Sequence, residues 1–239
     1  AMNLPGYPFT PKTFEVRPGL SMSYLDEGPR DGEVVVMLHG NPSWSFYWRH
    51  LVTGLRDKYR CIVPDHVGMG LSGRPDDAKY TYTLQSRIDD LDALLAHLGI
   101  DGPVTLAVHD WGGMIGFGWA LSHAAQVKRL VITNTAAFPL PSAKKMPWQL
   151  SLGRDSKFGA FLIRAFNAFS GGASHIGVEK KMPDDVRRAY VSPYDSWANR
   201  ISTVRFMQDI PLHPGDKAWP LVESAGQKLP QFADRPVFI

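Results

Sequence analysis

The amino-acid sequence predicts an α/β fold in which most strands of a single sheet run parallel. Three short apolar runs, residues 34–38, 61–64 and 104–108, have the length and composition of buried strands. Turns containing glycine and then stretches with helical spacing follow them. Repeated strand, turn and helix units build a parallel sheet whose loops gather at the carboxyl ends of the strands. We therefore expect reactive side chains at that edge.

The remaining core elements follow from the same patterns. Two alternating runs joined across Arg17, Pro18 and Gly19 are typical of an antiparallel hairpin. Apolar residues three or four positions apart predict the helices. The additional predicted strands are residues 13–16, 20–25, 130–133 and 236–239, and the predicted helices are 43–58, 83–98 and 113–123.

Strand patterns stop after Pro139, and helical, proline-broken, aromatic-rich sequence continues to about Pro230. A structureless loop of that length is improbable in a compact domain. We therefore expect a first core part over residues 1–138, a helical cap over 139–230 that covers the reactive edge, and the start of a returning core strand over 231–239.

Composition narrows the class of protein. A chain of 239 residues with 44% hydrophobic and 21% charged residues suits one domain with an insertion. The single cysteine, Cys61, excludes an internal disulfide and suits a reducing compartment. No apolar run approaches the ~18 residues of a membrane span, and the N-terminus lacks a signal-peptide pattern. These features predict a cytoplasmic protein without a metal, a cofactor or a nucleic-acid-binding module.

Positive charge is concentrated in the predicted cap. Residues 140–217 contain 12 Lys and Arg but only 7 Asp and Glu. Such a surface suits an acidic protein partner, a membrane surface or a fatty-acyl carrier. An ordinary solvated helical face explains the same composition, and the sequence favours that simpler interpretation.

The segment Leu106–Gly116 places Asp110 between a buried strand and a helix. Small residues around it permit the sharp strand-to-helix turn that exposes a catalytic nucleophile. Asp is also a preferred N-cap residue, which is the structural alternative. The turns 39–42 and 65–72 follow other strands at the same edge and favour the nucleophile. An Asp nucleophile predicts attack on carbon and a covalent alkyl ester.

The motifs at residues 39–45, 65–72 and 108–113 together resemble the haloalkane dehalogenase-like branch of the α/β-hydrolase superfamily. The resemblance implies a mostly parallel sheet with helices on both faces, an inserted helical cap, and a hydrolase whose Asp nucleophile forms an alkyl-enzyme ester. Epoxide hydrolases have a similar His-Gly-x-Pro loop and an Asp nucleophile. Residues 134–139, with Lys145 and Pro147, are similar to the β-lactone decarboxylases of long-chain olefin biosynthesis.

The expected site combines Asp110 with two neutral hydrogen-bond donors. The Trp111 indole N–H and the Asn41 amide could stabilise a leaving halide or an oxyanion. Core packing for Trp111 and turn formation for Asn41 are the structural alternatives. Aromatic residues could line a pocket for a small apolar or acyl-chain substrate; these candidates are Trp44, Phe138, Trp148, Phe161, Phe166 and Phe169.

Epoxide opening would need hydroxyl donors from the cap. Tyr190 and Tyr194 are the only tyrosines there, but Pro193 argues against one continuous helix through both. In the family the catalytic His and its acid follow later strands, and none of the eight histidines here has that position. We therefore expect the acid, the His, the last strand and its helix to lie beyond residue 239. A non-catalytic binding protein of the same fold is the alternative of another class.

Overall fold

The computed structural model describes residues 4–141 and 146–239. Its described strands form one seven-stranded sheet with the order β1-β2-β4-β3-β5-β6-β7. The first hairpin adds antiparallel strands, whereas β4, β3, β5, β6 and β7 are mutually parallel neighbours. The strands are β1 Lys12–Arg17, β2 Leu20–Glu27, β3 Glu33–Leu38, β4 Tyr59–Pro64, β5 Val104–Asp110, β6 Val127–Thr135 and β7 Val237–Phe238. The predicted single sheet with mostly parallel strands is confirmed.

Helices cover both faces of the sheet because side chains alternate along the central strands. Val36 and Leu38 join the core with helices α2 and α3, whereas Val35 and Met37 join the core with α1. The core helices are α1 Arg49–Leu55, α2 Leu84–His97 and α3 Trp111–Ser122. The Thr83 hydroxyl caps α2 by accepting from the Ser86 N–H, as expected at a helix start.

Several boundaries shift by one or two residues, and two elements differ from the prediction by more. The helix expected over residues 43–58 begins as a 3-10 turn, Ser45–Trp48, and α1 ends at Leu55. Strand β6 begins at Val127, three residues before the predicted start. Two consecutive charged residues, Lys128 and Arg129, do not match the apolar pattern of a strand. In the fold their side chains form ion pairs with Glu33 on β3, and the strand includes them.

Residues 148–232 are mostly helical, as predicted. The helices are α4 Trp148–Asp155, α5 Lys157–Phe166, α6 Ala168–Ile176, α7 Asp184–Val191, α8 Ile201–Gln208 and α9 Trp219–Lys228. Helices α4, α5 and α8 pack on one another, whereas α9 packs on α3 of the core. The boundaries of the cap stay a prediction, and Lys145 lies outside the described residues. Among the described helices, none is both long and apolar enough to cross a membrane.

Candidate active site

Asp110 occupies a strained turn at the carboxyl end of β5. Its backbone has φ 51° and ψ −126°, a conformation that residues other than glycine rarely adopt. The side chain makes no capping hydrogen bond to α3. Oδ1 instead accepts a hydrogen bond of 2.7 Å from the Asn41 backbone N–H. The helix-cap alternative for Asp110 therefore does not describe this geometry.

Close packing around the turn holds this conformation. The Thr135 hydroxyl at the end of β6 donates to the Asp110 carbonyl oxygen. A Cβ at position 113 would overlap that hydroxyl, so only glycine fits there. Gly113 thus lets the start of α3 approach β6 closely, and Gly112 does the same toward Leu38 of β3. Thr135 was not among the residues predicted from the sequence.

Asn41 links the carboxylate to helix α8. Its backbone N–H binds Asp110, and its side-chain Nδ2 donates to the Thr203 carbonyl at 2.9 Å. One hydrogen of the Asn41 side-chain amide is therefore used in this bond, and the other makes no hydrogen bond within the described residues. The Asn41 Oδ1 is buried and has no hydrogen-bond partner among the described residues.

Trp111 begins α3 directly after Asp110 and is only 4% exposed. Its ring packs edge-on against Phe206 of α8, with centroids 5.3 Å apart. Arg87 places its guanidinium carbon 3.6 Å from the Phe206 ring centroid and forms a buried 3.1 Å ion pair with Asp209. Trp111 thus packs in the core, while its indole N–H has no acceptor among the described residues. The proposed donor role is compatible with this placement.

A buried carboxylate joins the two loops that surround the elbow. Asp65 Oδ1 accepts from the Ser45 N–H at 2.6 Å, and Oδ2 accepts from the Leu71 N–H at 2.9 Å. Burial raises the pKa of Asp65 to about 6, although both N–H groups act in the opposite direction. Asp65 therefore fixes the 39–45 loop against the 65–72 loop.

The neighbouring histidines are structural. His39 and His66 are fully buried, and the His66 ring Nε2 lies 2.9 Å from the His39 carbonyl oxygen. Burial lowers the pKa of His66 to about 4 and lowers that of His39 as well. His109 stacks on Tyr47 with ring centroids 4.2 Å apart. Within the described residues no histidine hydrogen-bonds to Asp110.

These buried neutral histidines predict a loss of stability in acid. The pKa values of both histidines are lower in the folded protein than the value of about 6.5 in the unfolded chain. Their contribution to the stability of the fold is therefore fully present above pH 6.5 and is lost as the pH falls. Between pH 7 and pH 5, protonation of His66 should lower the free energy of unfolding by about 2 kcal/mol, and His39 acts in the same direction. Protonation of Asp65 should raise it by about 1 kcal/mol. Urea unfolding should therefore show a lower free energy of unfolding at pH 5. A constant or higher value at pH 5 would contradict the assignment of neutral buried histidines.

Comparison with known proteins places this geometry in a family. A model of the alpha/beta hydrolase fold matches residues 33–206. The chain belongs to the α/β-hydrolase family. The cis-3-alkyl-4-alkyloxetan-2-one decarboxylase of Xanthomonas campestris is 72% identical over 100% of this chain and 81% of its own length. A haloalkane dehalogenase of Mycolicibacterium paratuberculosis is 33% identical over 95% of this chain and 74% of its own length.

Solved structures of haloalkane dehalogenases are also similar to this chain. The hydrolase superposes on haloalkane dehalogenase DbeA from Bradyrhizobium elkani with a TM-score of 0.80 and 26% identity. The match covers 92% of this chain and 76% of DbeA. The resemblance seen in the three motifs is confirmed, and the similarity extends over most of the chain. The chain is an enzyme of this fold.

The aromatic residues predicted to line a substrate pocket lie in three different surroundings. Trp44 is 1% exposed and packs between Tyr7 and Phe46, with its indole N–H bound to the Ala189 carbonyl. The ring packs in the core beneath the 39–45 loop, and a pocket role for Trp44 stays a prediction. Phe138 borders a 340 Å³ cavity with Met114 and Thr135.

Trp148 is 71% exposed and borders a separate apolar groove of about 540 Å³ with Ile163 and Met207. Asp110 lines neither this groove nor the cavity beside Phe138. Pocket roles for Phe138 and Trp148 therefore stay predictions.

The hydroxyls of the two tyrosines considered for epoxide opening contact groups other than Asp110. The Tyr194 hydroxyl donates to the Ser43 carbonyl at 2.9 Å, and the Tyr190 hydroxyl accepts from Arg49. Helix α7 ends at Val191, and a 3-10 turn carries Pro193, which confirms the predicted break. The pair is thus not presented together as donors toward Asp110.

Proposed function

We propose that this enzyme of the α/β-hydrolase fold is a β-lactone decarboxylase that uses Asp110 to open a cis-3-alkyl-4-alkyloxetan-2-one. The observation that carries the proposal is the Asp110 carboxylate on its strained turn, with Oδ1 bound by the Asn41 N–H and no bond to its own helix. Oδ2 has no hydrogen-bond partner among the described residues and so can act as the nucleophile. The substrate class comes from the decarboxylase that is 72% identical to this chain.

The first step is an in-line displacement at the ring carbon C4. Asp110 Oδ2 forms a bond to C4 while the bond from C4 to the ring oxygen breaks, which inverts C4 and releases a carboxylate. Opening the four-membered ring relieves its strain, and the leaving carboxylate is stable. The Trp111 indole N–H and the remaining Asn41 amide hydrogen supply neutral donors for the oxygen that gains charge.

The second step is a decarboxylative elimination. The electron pair of the bond between C3 and the carboxylate carbon becomes the double bond between C3 and C4, and CO₂ leaves. Asp110 departs from C4 as a carboxylate, so the enzyme is regenerated. Inversion followed by anti elimination converts a cis lactone into a cis alkene. The cycle consumes no water or proton and therefore needs no general base.

A second candidate is haloalkane hydrolysis. The observation that favours it is the Trp111 indole N–H beside the nucleophile, which has no acceptor among the described residues and suits a soft halide. This cycle would form the same kind of alkyl ester but must then hydrolyse it with an activated water. The two candidates therefore differ in their need for a base.

The test compares two substrates on the same protein. We expect a synthetic cis-3,4-dialkyl-β-lactone to yield the cis alkene and CO₂ in equal amounts, measured by gas chromatography with mass detection. A bromoalkane of matched chain length should release at most one bromide per enzyme molecule. Heat-denatured protein provides the rate of spontaneous lactone decay. Repeated bromide release without alkene formation would support the dehalogenase instead.

A further inference from the structure

Helix α5 carries three large apolar side chains at the surface. Phe158 is 63% exposed, Phe161 48% and Phe166 71%, whereas Gly159 and Ile163 of the same helix are buried. Helix α5 therefore has one apolar face in the protein and a second one in solvent.

Trp197, 47% exposed, extends this surface, with its ring 5.9 Å from that of Phe161. We call Phe158, Phe161, Phe166 and Trp197 the aromatic patch. The rings of Phe161 and Phe166 lie 6.1 Å apart, so at least three of the four side chains are neighbours. Exposed apolar groups that cluster in this way mark interaction surfaces.

A cationic cavity adjoins the aromatic patch. It has a volume of about 410 Å³, lies between α5 and α8, and includes Phe161 and Trp197 in its wall. Its charged lining consists of Arg154, Lys157, Arg164, Arg205 and one carboxylate, Asp155. Positive charge thus predominates directly beside exposed aromatic rings.

Two of these cations have no ion-pair partner. Arg154 pairs with Asp155 and with Asp216, and Arg205 pairs with Asp77. Within the described residues, Lys157 and Arg164 pair with no carboxylate. Arg164 donates to the Trp197 carbonyl at 3.1 Å, and its guanidinium lies 4.4 Å from the Trp197 ring centroid.

Partial burial, and then the charge of Arg205, lower the pKa of Arg164. An anion bound in this cavity would relieve that repulsion.

We propose that the aromatic patch and the cationic cavity form a docking site for a bilayer that contains anionic phospholipids. Lys157 and Arg164 would bind lipid phosphate, while the four aromatic side chains enter the boundary between headgroups and acyl chains. Helix α5 carries the two unpaired cations and the three exposed Phe side chains, and Trp197 lies beside it. This combination complements both the charge and the apolar part of such a surface. None of these residues hydrogen-bonds to Asp110, Asn41 or Trp111, so the docking site does not depend on the proposed reaction.

Vesicle flotation tests the docking site on the full chain. The wild-type protein should float with vesicles of phosphatidylcholine and phosphatidylglycerol, remain free with phosphatidylcholine alone, and be released by high salt. The double variant Phe158→Ser/Phe166→Ser and the variant Lys157→Glu should each lower the bound fraction at least about fivefold. Matched controls are Phe238→Ser, an exposed aromatic on β7, and Lys58→Glu, an exposed lysine at the amino end of β4.

Sedimentation velocity and thermal unfolding of every variant accompany the flotation. Wild-type protein that stays free of anionic vesicles overturns the proposal, as does equal binding of all variants. A wild-type dimer that becomes monomeric in the Phe158→Ser/Phe166→Ser variant, without vesicle binding, would assign the patch to a second copy. Variants that lose vesicle binding while unfolding at the wild-type temperature would support the membrane site.

Discussion

Replacement of Asp110 by asparagine should reduce lactone decarboxylation at least about 10³-fold, because the amide is a poor nucleophile and a poor leaving group. Asn has nearly the same shape, tolerates positive φ, and keeps an oxygen that can accept from the Asn41 N–H. The unfolding temperature should therefore stay close to that of the wild type. Steady-state rates of alkene formation and a thermal melt measure the two effects separately.

The matched control for this substitution is Asp57→Asn. Asp57 is an exposed residue between α1 and β4, at the opposite edge of the sheet from Asp110. Its replacement makes the same chemical change and should leave the rate unchanged. An Asp110→Asn variant with the wild-type rate would remove Asp110 from the chemistry.

Replacement of Gly40 by alanine should displace Asp110, the proposed nucleophile. A Cβ at position 40 would overlap the Cβ and Oδ1 of Asp110, so the loop or the Asp110 turn would have to shift. Misplacing a reactive group by about 1 Å costs on the order of 10²-fold in rate, and overpacking costs about 1–3 kcal/mol of stability. We expect both losses, measured by initial rates and by urea unfolding.

Gly54→Ala is the control for this effect. No atom lies within 4 Å of a Cβ at Gly54 in helix α1. Alanine there should raise stability by up to about 1 kcal/mol through helix propensity and leave the rate unchanged. If Gly40→Ala behaves like Gly54→Ala, the close approach between the loop and Asp110 does not matter for catalysis.

The elbow could be predicted because its signals are local. Strand β5, Asp110 and the two glycines after Trp111 are consecutive in the sequence, and each residue type suits its place. The start of β6 was missed because its charges pair with Glu33, about a hundred residues earlier in the chain. Local patterns report such long-range pairs only after the fold is known.

The supporting contacts of the site were less predictable for the same reason. The Asn41 amide binds a carbonyl of α8, far away in the sequence, and nothing near Thr203 signals this bond. Arg87 does carry a signal, since a charged residue on the buried face of α2 between Leu84 and Leu91 implies a buried partner. Trp44 was assigned to a pocket because the sequence cannot distinguish an aromatic in the core from one that lines a cavity.

Rapid quenching of a single turnover tests the nucleophile most directly. A cis-dialkyl-β-lactone is mixed with excess enzyme, the reaction is stopped in acid at successive times, and the peptide containing residue 110 is analysed by mass spectrometry. The proposed chemistry predicts an adduct on Asp110 with the mass of the intact lactone, which disappears as the alkene forms. An alkene that forms at the full rate with no adduct at Asp110, or with the adduct on another residue, would contradict it.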